Sequence, residues 1–132
     1  MAEDLFRTDF RVRRADLVAY AEASGDDNPI HQDEEAARAA GLPGVIAHGM
    51  YTMGLAANAI TEWVGGVERV LDFSARFGKP VVVPEGNEGT TVSVSASVRK
   101  TNDDGTLELT VTASCDGVKV LSPCRATVLA ER

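Results

Sequence analysis

Asp26 and His31 stand five positions apart in the run Ser24-Gly25-Asp26-Asp27-Asn28-Pro29-Ile30-His31. A carboxylate and an imidazole held in one stiff loop can position a water and pass a proton in either direction. An imidazole ordinarily titrates near neutrality, so it can act as base or acid without extreme tuning. A second constellation is His48-Gly49-Met50, at the entrance to a long apolar run. If a helix begins there, its first N–H groups lack partners and its end carries partial positive charge, so Gly49 could hold a developing oxyanion. Each feature also has a structural reading. Asp26 can cap a turn while His31 packs on the next helix, and Gly49 can serve close backbone packing.

The loop is rigid for local reasons. Gly25 tolerates positive φ, Asp and Asn bond to nearby backbone, and Pro29 pushes Asn28 out of the helical region. Metal chemistry is set aside at this point: His31 and His48 are the two histidines of the chain, and neither an i,i+4 helical pair nor a Cys-x-x-Cys spacing is present. Nucleophilic catalysis is no better supported, since Ser24 and Ser122 lack an elbow motif and Cys115 and Cys124 fall in predicted strands.

The elements that must position these residues follow from periodicity. Leu5 to Val12 reads as a first strand. From Arg14, Leu17, Val18, Tyr20 and Ala21 give one apolar helical face that ends near Ser24-Gly25, without a good N-cap. Asp33 reads as the cap of a short helix from Glu34 to Ala40, closed by Gly41. A helix from Gly49 to Val64 is apolar on nearly every side, the mark of a buried helix, and Gly65-Gly66 ends it.

Strands then take over. Val67 to Phe77 alternates roughly, and Val81-Val82-Val83 is a short apolar piece that Pro84 bars from mid-ladder. Thr91 to Lys100, Thr106 to Ala113 and Val118 to Leu129 follow, with turns at Asn102–Gly105 and Asp116-Gly117. Centring the hairpins on those turns pairs Cys115 with Val118, Ala113 with Val120, Leu109 with Cys124 and Leu107 with Ala126. It also pairs Val98 with Leu109 and Val94 with Ala113, which puts apolar or small residues on one common face. The order predicts an α+β domain of the hot-dog type, a curved antiparallel sheet wrapped around a long buried helix, in one domain over residues 1–132.

Composition bounds the function. The chain has 132 residues, 44% hydrophobic and 25% charged, with a net charge of −7. That balance is wrong for a general nucleic-acid binder. Arg7, Arg11, Arg13 and Arg14 form a local basic cluster that is either a solvated flank or a site for a phosphate-bearing ligand. The opening Met-Ala-Glu-Asp lacks a basic leader, the stretch 39–61 carries glycines, Pro43 and His48 that do not suit a membrane span, and two cysteines do not make a disulfide framework. A cytoplasmic, reduced setting with no membrane partner is expected.

The run from Ser24 to His31, Asp33 beyond it, and Ala47-His48-Gly49-Met50 together resemble the hydratase 2 motif of the MaoC-like hot-dog family. Arg76-Phe77-Gly78-Lys79-Pro80-Val81, with Pro84 and Gly86, resembles that family's later strand and loop. The nearest resemblance is to (R)-specific enoyl-CoA hydratases and (3R)-hydroxyacyl-thioester dehydratases, including HadB-like single hot-dog subunits. It implies reversible syn hydration of trans-2-enoyl thioesters, carried by CoA or acyl carrier protein in lipid metabolism, with no cofactor and no metal. It further implies that Asp26 and His31 are the catalytic pair, that Gly49 supplies an N–H to the thioester oxygen and that Asn28 helps fix the loop. The implied partner is a like subunit, as homodimer or heterodimer. A non-catalytic, partner-dependent subunit that binds acyl thioesters is the alternative, and a thioesterase is a third reading. The uncapped first helix and short leading segment depart from the family pattern and leave the first strand's length and the acyl pocket's depth open.

Overall fold

A computed structural model describes residues 3–129; Met1 and Ala2, half of the opening tetrapeptide that lacks a basic leader, lie outside the described residues, as do 130–132. Nine residues form β1 (Asp4–Val12). They are followed by α1 (Arg14–Ser24), a 3-10 turn at Pro29–His31, α2 (Glu34–Ala39) and α3 (Gly49–Val64). A 3-10 turn at Val67–Arg69 leads to β2 (Val70–Phe77), β3 (Thr90–Thr101), β4 (Thr106–Cys115) and β5 (Val118–Leu129). The strands make one antiparallel sheet in the order β1-β3-β4-β5-β2.

The inner face of that sheet and α3 build the core. Val92, Val94 and Ala96 of β3 and Leu109, Val111 and Ala113 of β4 are buried with Ala56, Ala59, Ile60 and Val64 of α3. Gly54 lowers the intrinsic helicity of α3 by about 1 kcal/mol where it sits inside the helix. Full burial of Ile60 alone returns about 2 kcal/mol, so packing and not propensity holds α3.

Helix α1 starts without a side-chain cap on its first amides, as its sequence foretold. Asp16 instead reaches back to accept the Arg13 N–H at 2.8 Å. The helix ends on Gly25 at φ 78°, whose N–H donates to the Ala21 carbonyl. Asp33 caps α2 by accepting the Glu35 N–H at 3.0 Å.

Two expectations need correction. The stretch from Val67 begins as a 3-10 turn and becomes a strand at Val70, because Gly66 at φ 153° turns the chain and its carbonyl takes the Arg69 N–H. The β3–β4 register is as the turn predicts, with Val98 opposite Leu109 and Val94 opposite Ala113. The β4–β5 register starts as predicted at Cys115 and Val118 and then slips. Ala113 faces Leu121, Leu109 faces Ala126 and Leu107 faces Val128, after irregularities on both sides of Ala113. The extra residues lie in the part of β5 that holds Pro123, which has no N–H for the ladder. The total slip is two residues, so the inward face is kept.

A short second pairing braces the segment that leads into α3. Residues 45–47 run antiparallel to 81–83 through a bridge at Ile46 and Val82. The Ala47 N–H donates to Val81 and the Val83 N–H to Val45, both at 2.9 Å.

Candidate active site

The loop after α1 is folded by its own side chains. Asp26 Oδ1 accepts the Asn28 N–H at 3.3 Å, and Asn28 Oδ1 accepts the Ile30 N–H at 3.2 Å. Pro29 stands at the start of the 3-10 turn, where its missing N–H has no cost. Asn28 is therefore the cap of the turn that carries His31. It is exposed, and its amide oxygen is committed to the loop.

His31 is buried and tied to the 45–47 segment. Its Nδ1 lies 2.7 Å from the Ile46 carbonyl, while the Ile46 N–H donates to the Ile30 carbonyl at 3.3 Å. A carbonyl oxygen only accepts, so Nδ1 carries a proton, and in the neutral ring Nε2 is the nitrogen with the lone pair. One carboxylate oxygen of Asp26, one ring nitrogen of His31 and one of His48 lie within 4.8 Å of one another. A gap of that size between a carboxylate and an imidazole suits a water bonded to both.

Sequence spacing gave no hint of this three-residue cluster, and its donor types are those of a metal site. Its geometry is not. The His31 and His48 rings are stacked at 3.9 Å between centroids with 23° between planes, so their in-plane lone pairs lie in two nearly parallel planes. Zinc needs ligand nitrogens converging at about 2.0–2.1 Å on one point. We assign no metal ligation to the cluster.

Gly49 is the first residue of α3, and His48 before it makes no side-chain cap to the helix. The first-turn N–H groups of a helix lack intrahelical acceptors. Gly49 and His31 both line a cavity of about 300 Å³, with Ile46, Thr52, Phe77 and Val81 among its walls. A Cβ on Gly49 would stand 3.1 Å from the Phe77 ring, so the absence of a side chain lets that ring close on the helix end. Asp26 and Asn28 are outside the cavity wall. Asp26 is exposed, with a carboxylate oxygen within 4.8 Å of a His31 ring nitrogen.

The support behind this arrangement includes residues whose part was not legible in the sequence. Glu34 Oε1 accepts the Val45 N–H at 3.1 Å, and its other oxygen meets Arg14 at 3.0 Å. The Arg14 hydrogen bond, with the Val45 N–H and the charges of Arg14 and Arg38 adding to it, holds the Glu34 carboxyl below the usual carboxylate range. Tyr20 packs against both His48 and Tyr51. Burial, aided by the Asp16 charge, pushes the Tyr51 phenol up.

Three arginines of the basic cluster form a clamp, while Arg7 pairs with Asp9 and donates to Ser93 on the sheet. Arg11 donates to the Glu88 carbonyl at 2.9 Å, and Arg13 and Arg14 donate to the Asn87 and Val83 carbonyls at 2.6 Å. These groups hold the 83–88 loop. Lys79, by contrast, lines the cavity.

Known proteins share this arrangement of chain and fold. The sequence profile described as a MaoC like domain matches residues 3–115. A curated relative, 3-hydroxyacyl-thioester dehydratase X of Mycobacterium tuberculosis, is 40% identical over 74 residues, covering 56% of this chain and 25% of that protein. The chain thus spans about a quarter of that relative. A solved MaoC-like dehydratase superposes with TM-score 0.91 at 37% identity over 97% of this chain and 39% of that one. The (R)-hydratase from A. caviae involved in PHA biosynthesis has TM-score 0.81 at 25% identity, covering 96% of this chain and 93% of its own. With the profile running from the first strand through β4, and the same hot-dog fold in those structures, the chain belongs to the MaoC-like domain family.

Proposed function

We propose that this chain, as one domain over residues 1–132, is a hydro-lyase unit that interconverts trans-2-enoyl thioesters and (3R)-3-hydroxyacyl thioesters. The observation that carries the reading is the His31 ring, which borders the cavity beside Gly49 and approaches the Asp26 carboxylate within 4.8 Å. Relatives named as thioester dehydratase and (R)-hydratase support it.

In the hydration direction the enoyl thioester lies in the cavity with its carbonyl oxygen at the Gly49 N–H. His31 Nε2 draws a proton from the water shared with Asp26, and the water oxygen bonds to C3 as the C2–C3 π electrons move onto the thioester oxygen. Donors fixed in advance at a helix start stabilise that charge with little reorganisation. The proton taken from water returns to C2 through the Asp26–His31 pair. Both additions come from the face on which the pair stands, which makes the hydration syn. No cofactor or metal is needed for these steps.

The partner in this reading is a like subunit docked along β2. That strand is an edge of the sheet, and its Leu71 and Phe77 are more than half exposed. Unpaired edges with apolar side chains call for cover. Because Phe77 also walls the cavity, a subunit at β2 would complete the acyl site. The thioester carrier is CoA or acyl carrier protein. No helix among the described residues is long and apolar enough to cross a membrane.

Incubation of the protein with a trans-2-enoyl-CoA, followed by chiral analysis of the product, tests the proposal. The (3R)-3-hydroxyacyl thioester is expected. Release of free thiol without hydration would point to a thioesterase, and activity only after adding a related subunit would favour the partner-dependent reading.

A further inference from the structure

His48 takes no part in the proton transfers assigned to Asp26 and His31, yet it contacts both of them and adjoins Gly49. It is 2% exposed, its ring lies on the His31 ring at 3.9 Å, and its Nε2 lies 3.1 Å from the Asp26 backbone carbonyl. It also immediately precedes Gly49 and is the N-cap residue of α3. We propose that His48 is a positioning residue for the hydration, locking the Asp26 loop and the His31 ring to the helix end that holds the thioester oxygen; this rests on the hydratase reading.

The chemistry favours that role over simple packing. A carbonyl oxygen only accepts, so Nε2 of His48 carries its proton and donates it to Asp26. Nδ1 is then a bare acceptor, and it is buried without a partner among the described residues. Buried polar atoms left unpaired are costly, and an aliphatic side chain would fill the space without that cost. What an aliphatic group lacks is the N–H for the Asp26 carbonyl and a flat face for His31. The loop around Asp26 is otherwise exposed, and its remaining side-chain bonds, from Ser24, Asp26 and Asn28, are local. The His48 bond spans 22 positions and is the long-range tie that fixes where the carboxylate stands relative to His31 and Gly49.

Two substitutions separate the parts of this claim. His48→Phe keeps a flat ring and removes the donor. His48→Gln places an amide N–H near the position of Nε2. With trans-2-enoyl-CoA as substrate, His48→Phe is expected to lower kcat about thirtyfold while leaving KM within about twofold, as for an interaction felt only in the transition state. His48→Gln should recover most of the lost kcat. Amide hydrogen exchange at Asn28, whose N–H is held by the Asp26 carboxylate, should rise about tenfold in His48→Phe and return toward wild type in His48→Gln.

Unchanged kcat in a folded His48→Phe would overturn the proposal, as would a rise in KM alone or equal damage from Gln and Phe. If His48→Phe does not fold, His48→Asn, whose amide stops short of the Asp26 carbonyl, takes its place. If the wild-type protein hydrates no enoyl thioester, the hydratase reading fails by itself. The Asn28 exchange comparison then decides the positioning claim, and equal exchange in all variants overturns it.

Discussion

His31 Nδ1 lies 2.7 Å from the carbonyl oxygen of Ile46, a residue fifteen positions later in the chain. That contact sets the tautomer of the neutral ring and leaves Nε2 as its unprotonated nitrogen, on a side chain that lines one cavity with Gly49. Everything that fixes Ile46 therefore fixes the proposed base. Its own N–H bonds to Ile30, and its neighbours Val45 and Ala47 pair with Val83 and Val81.

Glu34 should prove to be a remote support of that base. It holds the Val45 N–H and pairs with Arg14, and Glu34→Ala removes both contacts. Lower kcat, by about three- to tenfold, and a lower Tm at neutral pH are expected. The sign with pH comes from the carboxyl being held below its ordinary value of 4.5. Its contribution is full above that value and is lost as pH falls through the lower, folded one. Thermal unfolding of wild type and Glu34→Ala should thus differ most at neutral pH and converge as pH falls through the lowered, folded value.

Gly49→Ala keeps the N–H proposed to receive the thioester oxygen but places a methyl 3.1 Å from the Phe77 ring. The ring must move by a few tenths of an ångström, and it walls the cavity. A fall in kcat/KM of about ten- to a hundredfold is expected, because small misplacements at a reacting centre are expensive. Adding Phe77→Ala should relieve the steric part, so the double variant should exceed the product of the two single effects. Steady-state kinetics on the four proteins measures this coupling.

The sequence made the boundaries of the helices legible because caps and glycines mark them: α3 runs from Gly49 to Val64 as its apolar pattern says. It could not make the β4–β5 register legible. A slip of two residues leaves the same faces inward, so the apolar pairing of Leu109 with Cys124 looked as good as the actual one with Ala126. The site divided in the same way. Asp26, Asn28 and His31 are local and were readable from the loop's own turn chemistry. The stacking of His48 on His31 and the hold of Ile46 on His31 join residues 15 or more positions apart, in a segment braced by the bridge between 45–47 and 81–83, and no local pattern encodes such partners.

Cys124 gives a prediction at alkaline pH. It is 1% exposed, and burial pushes its thiol up from 9.0 to about 11. A thiol with a raised folded value stays neutral while the unfolded chain ionises, so stability is unaffected below pH 9 and falls as pH rises through the interval to about 11. The loss expected across that window is on the order of 2–3 kcal/mol. Denaturant titrations at several pH values should show it, and Cys124→Ala should flatten the slope while lowering stability at neutral pH. The native thiol should resist alkylation at neutral pH.

The central claim is that Asp26 and His31 jointly activate the water that adds to the enoyl thioester. Its most direct measurement is the rate of trans-2-enoyl-CoA hydration by the wild-type protein, Asp26→Asn and His31→Ala, with circular dichroism confirming that each is folded. Both substitutions should lower kcat by about a hundred- to ten-thousandfold, the range of a lost general acid or base. Turnover near the wild-type rate in either folded variant would contradict the account.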